Sequence, residues 1–366
     1  MKIALAVLLA LHGLIHLIAP AKAFGWAEVT QLRQSISPTS GMFWLLAAAL
    51  LIGAAIAVLM GTDWWWCLAL PGTLLSQFLI VQVWSDAKFG TLANIAIVVP
   101  ALLATLALRP GSFRSRFAHD SAMLLARPIR PSPIVTEQDI AALPALMQGY
   151  LRRTGAVGRP HIYNMRVVFD AQMRGSSTAP WMESTATQYE SFDPPARLFH
   201  MKASRSGVPF DVYHRYVDGA ATFQVKIVGL YPMVNQSGAV VTKAETVTLM
   251  NDIVVMAPAA VLDLPFTWEA LGEHTLRATF SNAGFTVAAT LTFDAPGDLV
   301  GFVSTDRAQV DGATVTSTPW STPISSYAEV NGIRVGTRGD ANWIPSSGEW
   351  TYGRFTIRDI AYNVAK

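Results

Sequence analysis

Between Met1 and Leu108 only seven side chains carry a formal charge: Lys2, Lys22, Glu28, Arg33, Asp63, Asp86 and Lys88. A chain that folds in water spreads charge along its length, and an average soluble domain is about a quarter charged. This sequence is 14% charged overall, and the deficit is local, because the density becomes ordinary after Arg109. Two solvents are implied, lipid first and water second. The 366 residues leave room for two domains. A formal net charge of +2 gives no reason to expect nucleic acid. The one cysteine, Cys67, lies in a hydrophobic run. That excludes a disulfide framework or a cysteine-based zinc site within one chain.

A membrane-crossing helix needs about 20 apolar residues. Four runs predict spans, over about 3–19, 42–60, 64–84 and 91–108. Aromatic residues stand at their ends, as expected at a lipid–water interface: Phe24 and Trp26, Phe43 and Trp44, Trp64-Trp65-Trp66, and Trp84. Pro71 and Pro100 fall inside spans, where neighbouring helices can satisfy the freed carbonyls. The first run also imitates a signal peptide, with Lys2, an apolar core and Ala21-Lys22-Ala23. His12 and His16 inside that core argue against cleavage. Orientation follows from Lys and Arg near the span ends. Lys2, Arg109, Arg114, Arg116, Arg127 and Arg130 outnumber Lys22, Arg33 and Lys88. The larger set marks the cytoplasmic side of an inner membrane, and the water-soluble half is expected there whether four or three spans remain.

Residues 109–135 are basic and contain Pro110, Pro128, Pro131 and Pro133, which reads as a juxtamembrane linker able to attract anionic headgroups. A globular domain follows over 136–366. Thr136 with Asp139 resembles a helix N-cap with an acidic residue at N3. Ile140, Leu143, Met147, Tyr150 and Leu151 continue at helical spacing, with Pro144 as a break and Gly155 as a C-cap. From His161 the period becomes two. Phe285, Val287, Ala289, Leu291 and Phe293 alternate with Thr286, Ala288, Thr290 and Thr292, the mark of an antiparallel strand with one covered face. About ten strands are expected, punctuated by turns such as Asp218-Gly219 and Asn331-Gly332. Ala244 to Met256 interrupts them as a helix with few polar residues after Glu245 and Thr248. A largely apolar helix needs cover on most sides. The fold class that follows is a four-helix transmembrane bundle plus an α+β domain, a curved antiparallel sheet or half-barrel around a central apolar helix.

Several segments together are similar to an uncharacterised bacterial multi-pass membrane family, a domain of unknown function. They are Leu11 to Leu17, Ala21 to Gly25, Asp86 to Asn94, Pro194-Pro195, Tyr216 to Gly219, Glu245 with the helix after it, Ala257 to Leu262, Pro319-Trp320 and the last strand. The chain departs from that pattern before Pro258, where an aromatic is common and Ala257 stands. The family resemblance implies membership and no activity. The element order of the soluble half also resembles the lipoprotein-carrier (LolA-like) half-barrel, which implies an acyl chain held between sheet and helix. Carriers of that shape are usually periplasmic, whereas the charge count places this domain in the cytoplasm. That count is preferred, because fold analogy is the weaker warrant.

Two groups of candidate residues emerge. In the membrane half, His12 and His16 share one helix face. They read either as a metal or haem pair or as interhelical hydrogen-bonding groups beside Gly13. Asp86 and Lys88 flank a turn, with Gln77 and Gln82 on the preceding helix, and could line a polar entrance or position that turn. In the soluble half, Val247, Met250 and Val254 with Phe280, Leu291 and Phe293 are candidates for a hydrophobic cavity, or else ordinary core. His161, His200, His214 and His274 are scattered over different strands, and no catalytic, phosphate-binding or metal motif is recognised, so neither cofactor nor metal is assigned. Three functions remain open: a membrane-anchored protein binding a hydrophobic or lipid-like ligand, a transmembrane redox or transport module regulated by the β domain, and an assembly factor without a small ligand. The expected partners are the bilayer and such a ligand; protein partners are not indicated.

Overall fold

Ser37 accepts the backbone N–H of Ser40 at 3.2 Å and Pro38 occupies the first turn, so the apolar run behind them starts as a helix at a defined point. The computed structural model describes residues 2–30, 32–127, 132–205, 208–311 and 314–365. The chain divides into two units, Met1–Ser112 and Phe113–Lys366.

The first unit is helical: α1 (Lys2–Ile15), α2 (Ile18–Ala23), α3 (Pro38–Leu59), α4 (Trp66–Gln82), α5 (Trp84–Ala87) and α6 (Gly90–Leu108). Helix α3 packs against α1 and α4, and α4 against α6. Small residues make the contacts close. A Cβ on Gly13 would stand 2.8 Å from Ile52 Cγ1 and 3.1 Å from the Ala48 carbonyl oxygen, and Ala47, Ala48, Ala54 and Ala55 are buried on α3. Lys2–Ala23 and Pro38–Leu59 are long and apolar enough to cross a membrane, whereas Trp66–Gln82 and Gly90–Leu106 are apolar but shorter. By length the four expected spans are therefore two. The third run loses residues at both ends, because Trp64 and Trp65 form a turn and the chain leaves helical geometry at Val83.

The expected linker holds an element of the second unit, α7 (Phe113–Leu125). Phe113, Phe117 and Leu124 bury against Ala196, Leu198 and Tyr213 of the sheet, which removes them from solvent and fixes the helix. Pro128, Arg130 and Pro131 of the same stretch lie outside the described residues. Two short helices follow, α8 (Glu137–Ile140) and α9 (Ala145–Arg153), separated at Pro144. The Thr136 N–H donates to Asp139 Oδ2 at 2.7 Å, as the spacing predicts. Gly155, at φ +74°, turns the chain out of α9.

Among the described residues there are fifteen strands, not ten. They are β1 (Asn164–Met173), β2 (Met182–Phe192), β3 (Pro195–Arg205), β4 (Val208–Val217), β5 (Ala220–Ile227), β6 (Tyr231–Ser237), β7 (Phe266–Gly272), β8 (Thr275–Asn282), β9 (Phe285–Phe293), β10 (Leu299–Ser304), β11 (Ala308–Asp311), β12 (Thr314–Ser317), β13 (Trp320–Val330), β14 (Ile333–Trp343) and β15 (Trp350–Tyr362). Thirteen form one antiparallel sheet, in the order β6-β5-β4-β3-β2-β1-β15-β14-β13-β10-β9-β8-β7, and β11 pairs with β12 alone. The sheet stays open, with β6 and β7 as its edges. Between them in sequence lie α10 (Ala239–Met256) and a 3-10 turn, Pro258–Leu262.

Helix α10 touches β5 and β9, which stand nine places apart in the sheet. Nine strand spacings in a flat sheet cover about 43 Å, whereas a helix with its side chains is about 10–12 Å across. The sheet therefore curls around α10. Tyr150 and Tyr362 donate their hydroxyls to the Val254 and Met256 carbonyls, at 2.9 and 2.6 Å, so the buried end of α10 is satisfied. One face of α10 carries Met250, Ile253 and Val254 into a core with Leu276, Phe280, Leu291 and Phe302. The other face is not apolar. It bears Glu245, Thr248, Asn251 and Asp252, and so corrects the expectation of a helix with little polarity beyond Glu245 and Thr248.

Candidate functional site

Val241, Ala244, Glu245, Thr248, Asn251, Asp252 and Val255 recur three or four residues apart and share a face of α10. That face borders a cavity of about 590 Å³. Inward-pointing side chains of the strands form the opposite wall. Phe199 and Met201 come from β3, Val212 from β4, Phe223 and Val225 from β5, and Trp320 and Phe355 from β13 and β15. The six expected cavity residues do not line it. Val247, Met250, Val254, Phe280, Leu291 and Phe293 all belong to the packed core. The helix has two faces, and the more apolar one has been consumed by packing on β8 to β10.

Beneath the apolar wall lies a buried charge cluster. Arg197 of β3 donates through Nε to Asp252 Oδ2 at 2.7 Å, through Nη1 to Glu245 Oε2 at 3.0 Å and through Nη2 to Gln188 Oε1 at 2.9 Å. Glu190 stands 3.3 Å away. His214 Nδ1 meets Glu245 Oε1 at 2.6 Å. Burial works against ionisation of Glu245, but His214 and Arg197 outweigh it and hold its pKa at about 2. Glu190 goes the other way. Burial, with the charge of Asp252 next, raises its pKa well above the carboxylate range. A carboxyl that keeps its proton needs no donor at both oxygens, and Glu190 Oε2 meets none. Burial opposes the charge on Arg197, yet Asp252 and Glu245 together raise its pKa. The arrangement is a guanidinium shared between Asp252 and an ionised Glu245, with Glu190 held neutral.

The sequence reading missed Arg197, Asp252 and Gln188. A signal was there for two of them. Counting outward from the Asp193-Pro194-Pro195 turn pairs Glu190 with Arg197 across the hairpin, which is the observed register. Asp252 follows Glu245 by seven residues, two helical turns along the same face.

The polar residues of the first unit form a separate network. His16 Nδ1 meets the His12 carbonyl at 2.7 Å and His16 Nε2 meets Ser76 Oγ at 2.8 Å. His12 Nε2 lies 2.8 Å from Asn94 Oδ1, Asn94 Nδ2 donates to Gln77 Oε1 at 3.0 Å, and Gln77 Nε2 donates to Thr91 at 3.1 Å. Neutral imidazoles satisfy this chain throughout, with His12 protonated at Nε2 and His16 at Nδ1. His12 Nε2 and His16 Nε2 are thus engaged in bonds to other helices, through Asn94 of α6 and Ser76 of α4. Gln82 is exposed and apart from the network. Asp86 accepts the backbone N–H groups of Arg33 and Gln34, at 2.7 and 3.2 Å, and so ties a loop to α5. Lys88 lies over the ring of Phe89. Of the scattered histidines only His214 reaches the cavity. His161 pairs with Asp263 at 2.7 Å, His200 faces Phe117, and His274 lies 4.0 Å from Glu273.

Comparison with known proteins places the chain only at family level. No curated protein matches it. A DUF1329 family protein from Desulfovibrio piger is similar in structure with a TM-score of 0.32 and 10% identity, over 61% of this chain and 93% of that one. A putative outer membrane lipoprotein-sorting protein domain from Vibrio parahaemolyticus gives a TM-score of 0.30 and 8% identity, over 56% and 87%. A family model matches residues 133–355, more than half of the chain, and the protein belongs to that family of unknown function, DUF6544.

Proposed function

We propose that this protein is a membrane-anchored binding protein whose Phe113–Lys366 unit holds a hydrophobic, lipid-like ligand. The cavity of about 590 Å³ between α10 and the sheet carries this reading. Its size falls in the range of small-molecule sites, and its aromatic and aliphatic walls are joined by polar and charged groups, several of them on α10. Each methylene moved from water into such a wall contributes about 0.8 kcal/mol. Ten methylenes give roughly 8 kcal/mol, from which ordering and association costs are subtracted.

The membrane assignment rests on the inside-out distribution of side chains in the first unit. Leu11, Leu14, Ile56, Leu74, Phe78 and Ile95 are exposed, while His12, His16, Ser76 and Asn94 are buried. In water that arrangement would expose a large apolar patch, whereas in lipid it is the stable one. Helices α4 and α6, at 17 and 19 residues, measure about 26 and 28 Å, just under the ~30 Å hydrocarbon core. Whether two helices cross or four, the count is even. The Lys and Arg distribution then supports a cytoplasmic second unit at an inner membrane. Alkaline phosphatase fused after Lys366 should be inactive, and activity there would overturn the placement.

The ligand reading is tested on the full chain. Lipid extraction and native mass spectrometry of protein released from nanodiscs should give a bound acyl-chain species. Val225→Trp, which fills the cavity from β5, should remove it. A protein carrying no such species, and taking up no added fatty acid above empty nanodiscs, would sink the proposal.

A further inference from the structure

Among the described residues, Arg307 is the half-buried cavity arginine whose guanidinium meets neither a carboxylate nor a carbonyl. Arg307, in the connection between β10 and β11, borders the cavity and is half-buried. Its guanidinium lies 4.4 Å from the ring centroid of Trp320 and 5.7 Å from that of Trp343, both cavity residues. It donates to Thr248 Oγ1 on the cavity face of α10. Among the described residues no carboxylate stands within ion-pair distance of it. Its neighbour Asp306 is engaged by Lys243 at 2.7 Å and by the Ala288 N–H at 2.8 Å. Glu245 feels the charge of Arg307, but its oxygens are bonded to Arg197 and His214.

The other cations that border the cavity differ from it. Arg197 is enclosed by carboxylates, and Arg174 is held by the Thr351 and Ser177 carbonyls through Nε and Nη1. Arg338 is exposed. A guanidinium has five N–H donors in a planar fork that matches carboxylate and phosphate oxygens. Arg307 uses one of them on a neutral hydroxyl, and two indole rings hold its plane in place. A cation fixed in this way at an apolar cavity is complementary to an anion that arrives attached to an apolar chain.

We infer that the ligand is an acyl chain with an anionic head group, a carboxylate or a phosphate, and that Arg307 is the head-group contact. This rests on the reading of the cavity as a hydrophobic-ligand site. The acyl portion lies along Phe199, Phe223 and Val225, and the head group reaches the Arg307 and Thr248 side of the cavity.

The test uses the full chain in phosphatidylcholine nanodiscs, with empty nanodiscs as the blank. Binding of cis-parinaric acid is followed by energy transfer from tryptophan, and four sixteen-carbon competitors displace it: palmitate, hexadecyl phosphate, hexadecanol and hexadecylamine. One charge-assisted bond in a partly desolvated site predicts that the two anions compete about tenfold or more better than the alcohol. Arg307→Gln should bring the anions to the level of the alcohol, while Arg307→Lys should keep part of the preference. Hexadecyl phosphate ahead of palmitate would identify a phosphate head group, and the reverse order a free fatty acid. Equal competition by alcohol and anions, or a preference for the amine, would overturn the inference while leaving the cavity reading intact. Failure of every probe to bind would overturn the cavity reading itself. The wild-type comparison decides the matter even if a variant fails to fold.

Discussion

Arg197→Met removes the cation from the charge cluster and keeps a side chain of similar length. In the wild type the guanidinium lies 2.7 Å from Asp252, 3.0 Å from Glu245 and 3.3 Å from Glu190. Removing one partner of a buried ion pair costs about 3–5 kcal/mol, because the remaining charge stays buried without compensation. The low end applies here, near 3 kcal/mol, since Glu245 keeps His214 and Asp252 keeps the Gln188 amide at 3.0 Å. For a unit of this size each kcal/mol moves Tm by about 2–4 °C, so a drop of roughly 6–12 °C is expected. Thermal unfolding of the full chain in nanodiscs, read by tryptophan emission, gives the number. The pH dependence has a definite sign. Without Arg197, Glu245 is penalised as an anion, and its pKa rises from about 2. The deficit is then largest at pH 8 and shrinks toward pH 5, as it takes up a proton. Adding Glu245→Gln and Asp252→Asn should return most of the lost stability. A drop under about 2 °C at pH 8, or a deficit unchanged between pH 8 and pH 5, would refute the pairing of this guanidinium with an ionised Glu245.

Two further substitutions probe the same electrostatics. Glu190 has a raised pKa in the fold, so it adds stability below the ordinary carboxylate range and loses it as pH rises. Glu190→Gln mimics the protonated acid, so urea midpoints should match the wild type at pH 5 and fall less steeply toward pH 8. A loss of about 2 kcal/mol at pH 5 would count against a neutral Glu190. Asp298 binds Arg153 and Arg334, each through two bonds of 2.6 to 3.1 Å. Burial alone would raise its pKa, but the two arginines hold it at about 2. Its stabilisation is present above the ordinary range and lost as pH falls toward 2. Asp298→Asn should cost about 1–2 kcal/mol at pH 6, after allowing for the solvent that reaches both arginines, and almost nothing near pH 2.

Elements whose two sides meet different solvents were legible in the sequence. The alternation in Phe285 to Phe293 reappears as alternating burial along β9. The Thr136 and Asp139 spacing and the break at Pro144 rest on local chemistry, and both stand in the structure. The pattern fails where both faces are covered. Strand β3 is buried from Ala196 to Met201, because α7 packs on one side and the cavity wall lies on the other. Ala196, Leu198 and Tyr213 meet α7, while Arg197, Phe199 and Met201 point to the cavity. Composition cannot tell the two sets apart when both are mostly apolar. Helix α7 was hidden for a different reason. Its arginines and flanking prolines resemble a linker, and only the spacing of Phe113, Phe117 and Leu124 betrays a packed face.

The six expected cavity residues are strongly apolar ones on and around α10, and for that reason they sit in the core. Apolar faces close on each other until nothing water-sized remains. A cavity persists where something resists closure, so it is better sought beside polar groups. Here Arg197 bridges from β3 to Glu245 and Asp252 on α10, and an ion cluster with fixed bond lengths cannot be compressed. The expectation to be tested is that it holds the helix off the wall formed by Phe199, Phe223 and Val225. The charge cluster and the apolar cavity are then one device, with the first acting as the spacer for the second. The triple variant Arg197→Met, Glu245→Gln, Asp252→Asn separates stability from spacing. Methionine is flexible enough to let α10 settle toward β3 to β5. Its Tm should lie near that of the wild type, while its capacity for cis-parinaric acid should fall several-fold. If the triple variant is stable and binds as the wild type does, the cluster is not the spacer, and the cavity must be held open by the curl of the sheet alone.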